Sequence, residues 1–139
     1  IQNLNIEISK SKSSSVKCIF LKIAPDLTEE MTEMIYNVSV KHNITGIIAT
    51  NTTVERINLK TAVNEQGGLS GKPLKSLSDN ILKKLSRLNQ NNELVLIGVG
   101  GIFNHADYED KINSGALLIQ VYTGFIYNGP AIMKNILSK

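Results

Sequence analysis

Apolar residues fall in four short runs along this 139-residue chain, and between them the spacing changes from strand-like to helical. The first run, Lys17 to Ala24, is apolar at Cys18, Ile19, Phe20, Leu21 and Ile23 and is stopped by Pro25. Apolar on both faces, it predicts a buried parallel strand. Thr28 is placed to cap a helix, and Glu29 and Glu30 complement its dipole. Met31, Met34, Ile35 and Val38 recur at helical spacing, and His42-Asn43 ends the helix.

The cycle then repeats. Gly46 to Ala49 predicts a second strand, ending in Thr50-Asn51-Thr52-Thr53. A polar excursion from Val54 to Pro73 follows, a length that in a compact unit goes with function or with disorder. Ser76 or Ser78 is expected to cap the next helix, with Ile81, Leu82, Leu85 and Leu88 on one face. Leu94 to Ile97 predicts the third strand, which dissolves into Gly98-Val99-Gly100-Gly101. Asn104 caps a helix through Tyr108 and Ile112 that Gly115 terminates. Leu117 to Val121 predicts the fourth strand, closing in Tyr122-Thr123-Gly124, and Pro130 starts a last helix with Ile132, Met133 and Ile136.

Such βα alternation predicts a parallel sheet with right-handed crossovers. A doubly wound sheet would carry its glycines after the first strand, followed by an acidic residue. Here they come late and the first strand carries Lys22, so the pattern favours a barrel, of which the four βα units over residues 17–139 make half. Residues 1–16, ending in the run Ser9 to Ser15, are expected to be a linker or the end of a preceding element. A half-barrel leaves two strand edges open, so the chain alone is expected to dimerise, aggregate or need its missing half.

Composition narrows the classes. Hydrophobic content of 42% and charged content of 19% describe a globular chain. Net charge is +3 with no basic block, Trp is absent and aromatics are 5%, which argues against a nucleic-acid-binding surface built on stacking. The lone Cys18, inside an apolar run, is expected to be a buried core thiol. No apolar run reaches the ~18 residues of a membrane span. The chain begins without Met, which suggests a piece of something longer.

Candidate chemistry gathers at the strand ends. Gly98 to Gly101 and Tyr122-Thr123-Gly124 place bare backbone donors and a hydroxyl after consecutive strands, as barrel phosphate sites do. Lys22 interrupts an apolar strand; on an edge it would reach water, and at a barrel mouth it would face an anion. Thr50-Asn51-Thr52-Thr53 could bind a heterocycle with imide-like groups or could be turn chemistry. Gly67-Gly68-Leu69-Ser70-Gly71-Lys72-Pro73 lacks P-loop spacing and has Pro73 where Ser or Thr should follow Lys72. His42 and His105 are expected at the surface, and no cluster has metal-ligand spacing.

Taken together, Phe20 to Leu27 (FLKIAPDL), Ala49 to Thr53 (ATNTT), Gly67 to Leu74 (GGLSGKPL), Ile97 to Gly101 (IGVGG) and Gln120 to Thr123 (QVYT) resemble class 2, quinone-dependent dihydroorotate dehydrogenases in order and spacing. The resemblance runs from Ile19 to Pro130. It implies that residues 17–139 are the C-terminal half of a (β/α)8 barrel, strands five to eight, holding FMN at its mouth, with oxidation of dihydroorotate to orotate in pyrimidine biosynthesis and a quinone acceptor. By resemblance, Lys22 lies near the flavin N1/O2 edge, Thr50 contacts the flavin and Gly71 packs its backbone on it. Asn51 and Thr52 hold the pyrimidine, and Gly101, Tyr122 and Thr123 hold the FMN phosphate.

The resemblance also implies what lies elsewhere. The family's catalytic base is a serine before the lysine strand, and nothing before Lys17 resembles its segment, so no catalytic base is assigned within this chain. The membrane-associating helices of the family are absent too, and Ile102 to His105 departs from the small-residue turn expected there. Peripheral placement on the cytoplasmic side of a bacterial inner membrane is expected, the mitochondrial inner membrane being the alternative. A non-catalytic half-barrel holding a phosphate-bearing ligand, or another phosphate-binding barrel enzyme, is the competing reading.

Overall fold

The computed structural model describes residues 17–57, 59 and 66–138. The expected linker over residues 1–16 and part of the Val54 to Pro73 excursion lie outside the described residues. Four strands form one parallel sheet in sequential order: β1 (Phe20–Ile23), β2 (Gly46–Ala49), β3 (Val95–Val99) and β4 (Leu118–Gln120). Helices α1 (Glu29–Lys41), α2 (Lys75–Leu88) and α3 (His105–Asn113) supply the crossovers. Two short helices, α4 (Thr123–Asn128) and α5 (Ile132–Leu137), follow β4.

Alternation along the strands sets two faces. Ile23, Ile47, Ala49 and Leu96 point to the helix side, where they pack with Ile81, Leu82 and Leu85 of α2. That α2 face is the one its periodicity predicted. Full burial of one such aliphatic side chain is worth roughly 1.5–3 kcal/mol. A smaller cluster of Ile102, Ile132 and Ile136 seats α5 against Tyr108 of α3 and Ile119 of β4. On the other face Phe20, Lys22, Leu118 and Gln120 are exposed. This is a partial barrel: helices cover the outside, and on the inner face the flanking strands are exposed while Ile97 and Val99 of β3 are buried.

Several expectations change. The first strand covers Phe20–Ile23 rather than Lys17 to Ala24 and is an edge, with Phe20 36% exposed and Cys18 exposed rather than buried. An edge strand buries one flank only, and no outer neighbour is present among the described residues. In α1 the Met31, Met34 and Val38 face is exposed, and Thr32, Tyr36 and Ser39 are buried instead. Buried hydroxyls are tolerated there because the preceding turn satisfies them: Thr32 Oγ1 donates to Thr28 O at 2.8 Å and Ser39 Oγ to Ile35 O at 2.7 Å.

Neither Ser76 nor Ser78 caps α2. A 3-10 turn, Lys72–Leu74, feeds Pro73 directly into the helix, and Ser78 is buried inside it. Helix α4 is an addition to the expected pattern, and Pro130 lies in a 3-10 turn, Gly129–Ala131, ahead of α5. The caps at Thr28 and Asn104 are as expected, accepting from the Met31 and Asp107 amides at 3.2 and 2.9 Å.

Candidate functional site

The C-terminal ends of all four strands open on one cavity of about 250 Å³. Lys22 reaches it from β1, and Thr50, Asn51 and Thr52 from the end of β2. Gly101 lines it after β3, Tyr122 and Thr123 after β4, and Gly71 from the long loop. The residues that the resemblance assigned to cofactor and substrate therefore line one mouth.

Local hydrogen bonds explain the convergence. Asn51 N donates to Ile23 O at 2.7 Å and Thr50 N to Val99 O at 3.1 Å, so β1, β2 and β3 are tied where they end. Thr50 is 1% exposed and spends its hydroxyl proton on Asn51 O at 2.9 Å, which leaves its oxygen to accept. Thr53 and Leu69 exchange both backbone bonds, at 3.1 and 2.7 Å, and draw the loop back over the end of β2. The Thr53 hydroxyl donates in turn to Asp26 Oδ1, and Arg56 holds Gly67 O at 2.7 Å. Ser70 then accepts from Thr123 Oγ1 at 3.0 Å, joining the loop to the start of α4.

The anion-binding expectation fits this geometry. The Gly100, Gly101 and Ile102 amides donate to no acceptor among the described residues. The amides of Thr123 and Gly124 open the first turn of α4, where intrahelical partners are lacking. Gly101 has φ +74, and a Cβ there would lie 2.4 Å from Lys75 Cβ, so its bareness serves the seating of α2 as well as the cavity. The expected departure at Ile102 to His105 leaves these amides in place, with Phe103 N capped by Asp107 Oδ2 at 3.0 Å.

Sequence reasoning missed Ser70 and Gln120 in the lining, and it missed Lys111 beneath the site. Gln120 had a signal, since it sits at the C-terminal end of a predicted strand. Lys111 had none: as the one lysine of a helix that also carries Asp107, Glu109 and Asp110, it reads as a solvated residue. His105 is 23% exposed in its side chain rather than on the open surface, its Nδ1 bonding Ile136 O at 2.7 Å. Its Nε2 lies 3.2 Å from Glu109 Oε1 without hydrogen-bond geometry.

A family model described as dihydroorotate dehydrogenase matches residues 2–139. The dihydroorotate dehydrogenase (quinone) of Christiangramia forsetii is 49% identical over 88% of this chain and 36% of its own length. That of Shewanella woodyi is 48% identical over 86% of this chain and 35% of its own length. Ligand-free DHODH from Eimeria tenella superposes with a TM-score of 0.87 at 32% identity, covering 97% of this chain and 41% of that one. The same organism's enzyme in complex with ferulenol gives 0.82 at 35% identity, over 91% of this chain and 34% of that one. The chain thus spans about a third of the length of the curated relatives it matches. With the family model covering nearly the whole chain and the barrel segment of those structures reproduced in its sheet, this chain belongs to the dihydroorotate dehydrogenase family.

Proposed function

We propose that this chain is the FMN-holding C-terminal segment of a quinone-dependent dihydroorotate dehydrogenase, which oxidises dihydroorotate to orotate in pyrimidine biosynthesis. The observation that carries the reading is the convergence of Lys22, Asn51, Thr52, Gly101 and Thr123 on one cavity. The donor set suits FMN: unpaired amides of Gly100 and Gly101 for a phosphate at one side, a cation at the other.

When bound, FMN supplies the two-electron acceptor for the substrate. Lys22, which lines the cavity from β1, would offer an ammonium to stabilise negative charge on the reduced ring. Asn51 and Thr52, with exposed side chains, offer the donors and acceptors that an imide-bearing pyrimidine requires. Thr123 would hold the phosphate end through its backbone amide, its hydroxyl being spent on Ser70. No base for the substrate proton is assigned among the described residues. Electron transfer to a quinone and peripheral association with a bacterial inner membrane, or a mitochondrial one, belong to the same reading of the whole enzyme. No helix among the described residues is long and apolar enough to cross a membrane.

The test is Lys22→Ala in the full-length enzyme, with rapid-mixing absorbance of flavin reduction and FMN titration side by side. Reduction should slow by about a hundredfold or more, as when one charge-stabilising group is lost, with FMN affinity within about fivefold. Equal loss of both, or of neither, removes Lys22 from this role. A full-length protein that purifies colourless and takes up no FMN removes the reading itself.

A further inference from the structure

Beneath the cavity floor, on the helix side of β3, Lys111 of α3 is fully buried. Its ammonium lies 2.6 Å from Asp79 Oδ1 and donates to Ser78 Oγ at 2.7 Å. Both partners belong to α2. Gly98 makes room for the lysine stem, since a Cβ there would stand 3.1 Å from Lys111 Cδ. Ser78 passes its single proton to the Val99 carbonyl oxygen, with Ala49 O 3.5 Å from the same hydroxyl. The Val99 carbonyl also accepts from Thr50 N at 3.1 Å. A continuous set of bonds therefore runs from Asp79 through Lys111 and Ser78 to the junction where β2 and β3 enter the cavity.

Stability does not account for this arrangement. Taking an ammonium and a carboxylate out of water costs several kcal/mol per ion, and an apolar pair of similar volume is often as stable or more so. What an apolar pair could not do is supply Ser78 with a donor and thereby aim its proton at Val99. The bonds end on backbone that the cavity uses: Thr50 and Asn51 on one side, Gly100 and Gly101 on the other.

We propose that Lys111, held by Asp79 and acting through Ser78, is a positioning residue for the FMN cavity, fixing the Val99–Thr50 junction and the strand-end backbone on either side of it. The proposal rests on the functional reading above. It separates the residues that touch the ligand from a buried set that sets their spacing, and it gives α2 and α3 a part in the site although neither helix contributes Lys111, Asp79 or Ser78 to the cavity wall.

The test uses the full-length enzyme with Ser78→Ala and, separately, with Lys111→Met and Asp79→Leu together. Three quantities are read: FMN affinity by quenching of free-flavin fluorescence, the visible circular dichroism of bound FMN, and the melting temperature of the apoprotein. The double variant should melt close to the unsubstituted apoprotein while binding FMN about fivefold or more weakly, the effect of roughly one lost hydrogen bond. Ser78→Ala should show the same loss of affinity and an altered dichroic band, and it decides the matter alone where the double variant does not fold. Unchanged affinity and dichroism overturn the proposal, as does a loss of affinity in Ser78→Ala that merely follows a lowered melting temperature. If the unsubstituted enzyme binds no FMN, the functional reading has failed; if it binds normally and the variants match it, only the positioning role has.

Discussion

Gly124 packs its backbone against Ile102 so closely that a Cβ on Gly124 would stand 2.2 Å from the Ile102 carbonyl oxygen. The contact ties the turn after β4 to the turn after β3, the two turns that line the cavity on this side. Gly124→Ala must push these turns apart, because the obstacle is backbone and has no rotamer to escape into. A cost of about 2–3 kcal/mol is expected, with weakened FMN binding. Gly129 is the control: its φ is +60 but nothing lies within 4 Å of a Cβ there. With ψ at −162 this is backbone that only glycine adopts readily, so Gly129→Ala should cost about 1–3 kcal/mol through the backbone alone and leave FMN binding unchanged. Denaturant unfolding and flavin titration of both variants check this, and equal effects on FMN would contradict it.

The Asp79–Lys111 pair makes a second, asymmetric prediction. Asp79→Ala strands the buried Lys111 ammonium and also releases Lys75, which bonds Asp79 Oδ2 at 3.0 Å and Asp110 Oδ2 at 2.7 Å. Burial already pulls the Lys111 ammonium below the usual lysine range, with Asp79 opposing that pull. Loss of roughly 3–5 kcal/mol is expected for Asp79→Ala, and most of it should return when Lys111→Met and Asp79→Leu are combined. Urea unfolding of the single and combined variants measures the difference; strictly additive losses would show that the pair is not coupled.

Alkaline pH should destabilise the fold through Tyr36. Burial and the bond from Tyr36 Oη to Glu93 Oε2 at 2.7 Å push the phenol up to about 12 from its ordinary 10.0. The folded state holds this proton more tightly than the unfolded one. The contribution is therefore whole below the ordinary value of 10.0 and is lost as pH rises through about 12. Lys75 acts with the same sign: burial lowers it, but its bonds to Asp110 and Asp79 outweigh that and raise it. Tyr36→Phe should cost about 1 kcal/mol near neutrality and flatten the fall of melting temperature with rising pH. An identical alkaline slope in the two proteins would refute the assignment.

The 139-residue chain by itself should self-associate. Met31 and Met34 on α1 are 51% and 64% exposed, and Leu118 on the β4 edge and Ile126 on α4 are 53% and 67% exposed. Apolar surface of this kind beside open strand edges invites pairing with another chain. Light scattering after size exclusion should find dimers or larger species, whereas a monodisperse monomer would speak against it.

Local pattern was enough for the βα alternation, the α2 core face, and the caps at Thr28 and Asn104, whereas the full set at the cavity mouth, Gly71 above all, came from the family resemblance. Each of the former depends on periodicity or on hydrogen bonding within a few positions, which a linear sequence carries. The loop glycines and the Thr50 to Thr53 run could likewise be seen, because parallel strands deliver their C-terminal ends to one side whatever the helices do. The rotation of α1 could not: Met31 and Tyr36 both fit a helical stripe, and only contact with α2 and Glu93 turns Tyr36 inward.

Lys111 marks the same boundary. In sequence it is one more cation beside Asp110 and Ile112; its burial is decided by a missing side chain at Gly98 and by Ser78 and Asp79, more than thirty positions away. Cys18 shows the converse, an apolar run that looks like core and leads into an edge strand, because among the described residues no neighbour covers its flank. The chain on its own determined which residues point where along each element. Tertiary structure alone decided which of those directions end in protein and which in solvent, since burial belongs to the neighbours an element meets and not to the element itself.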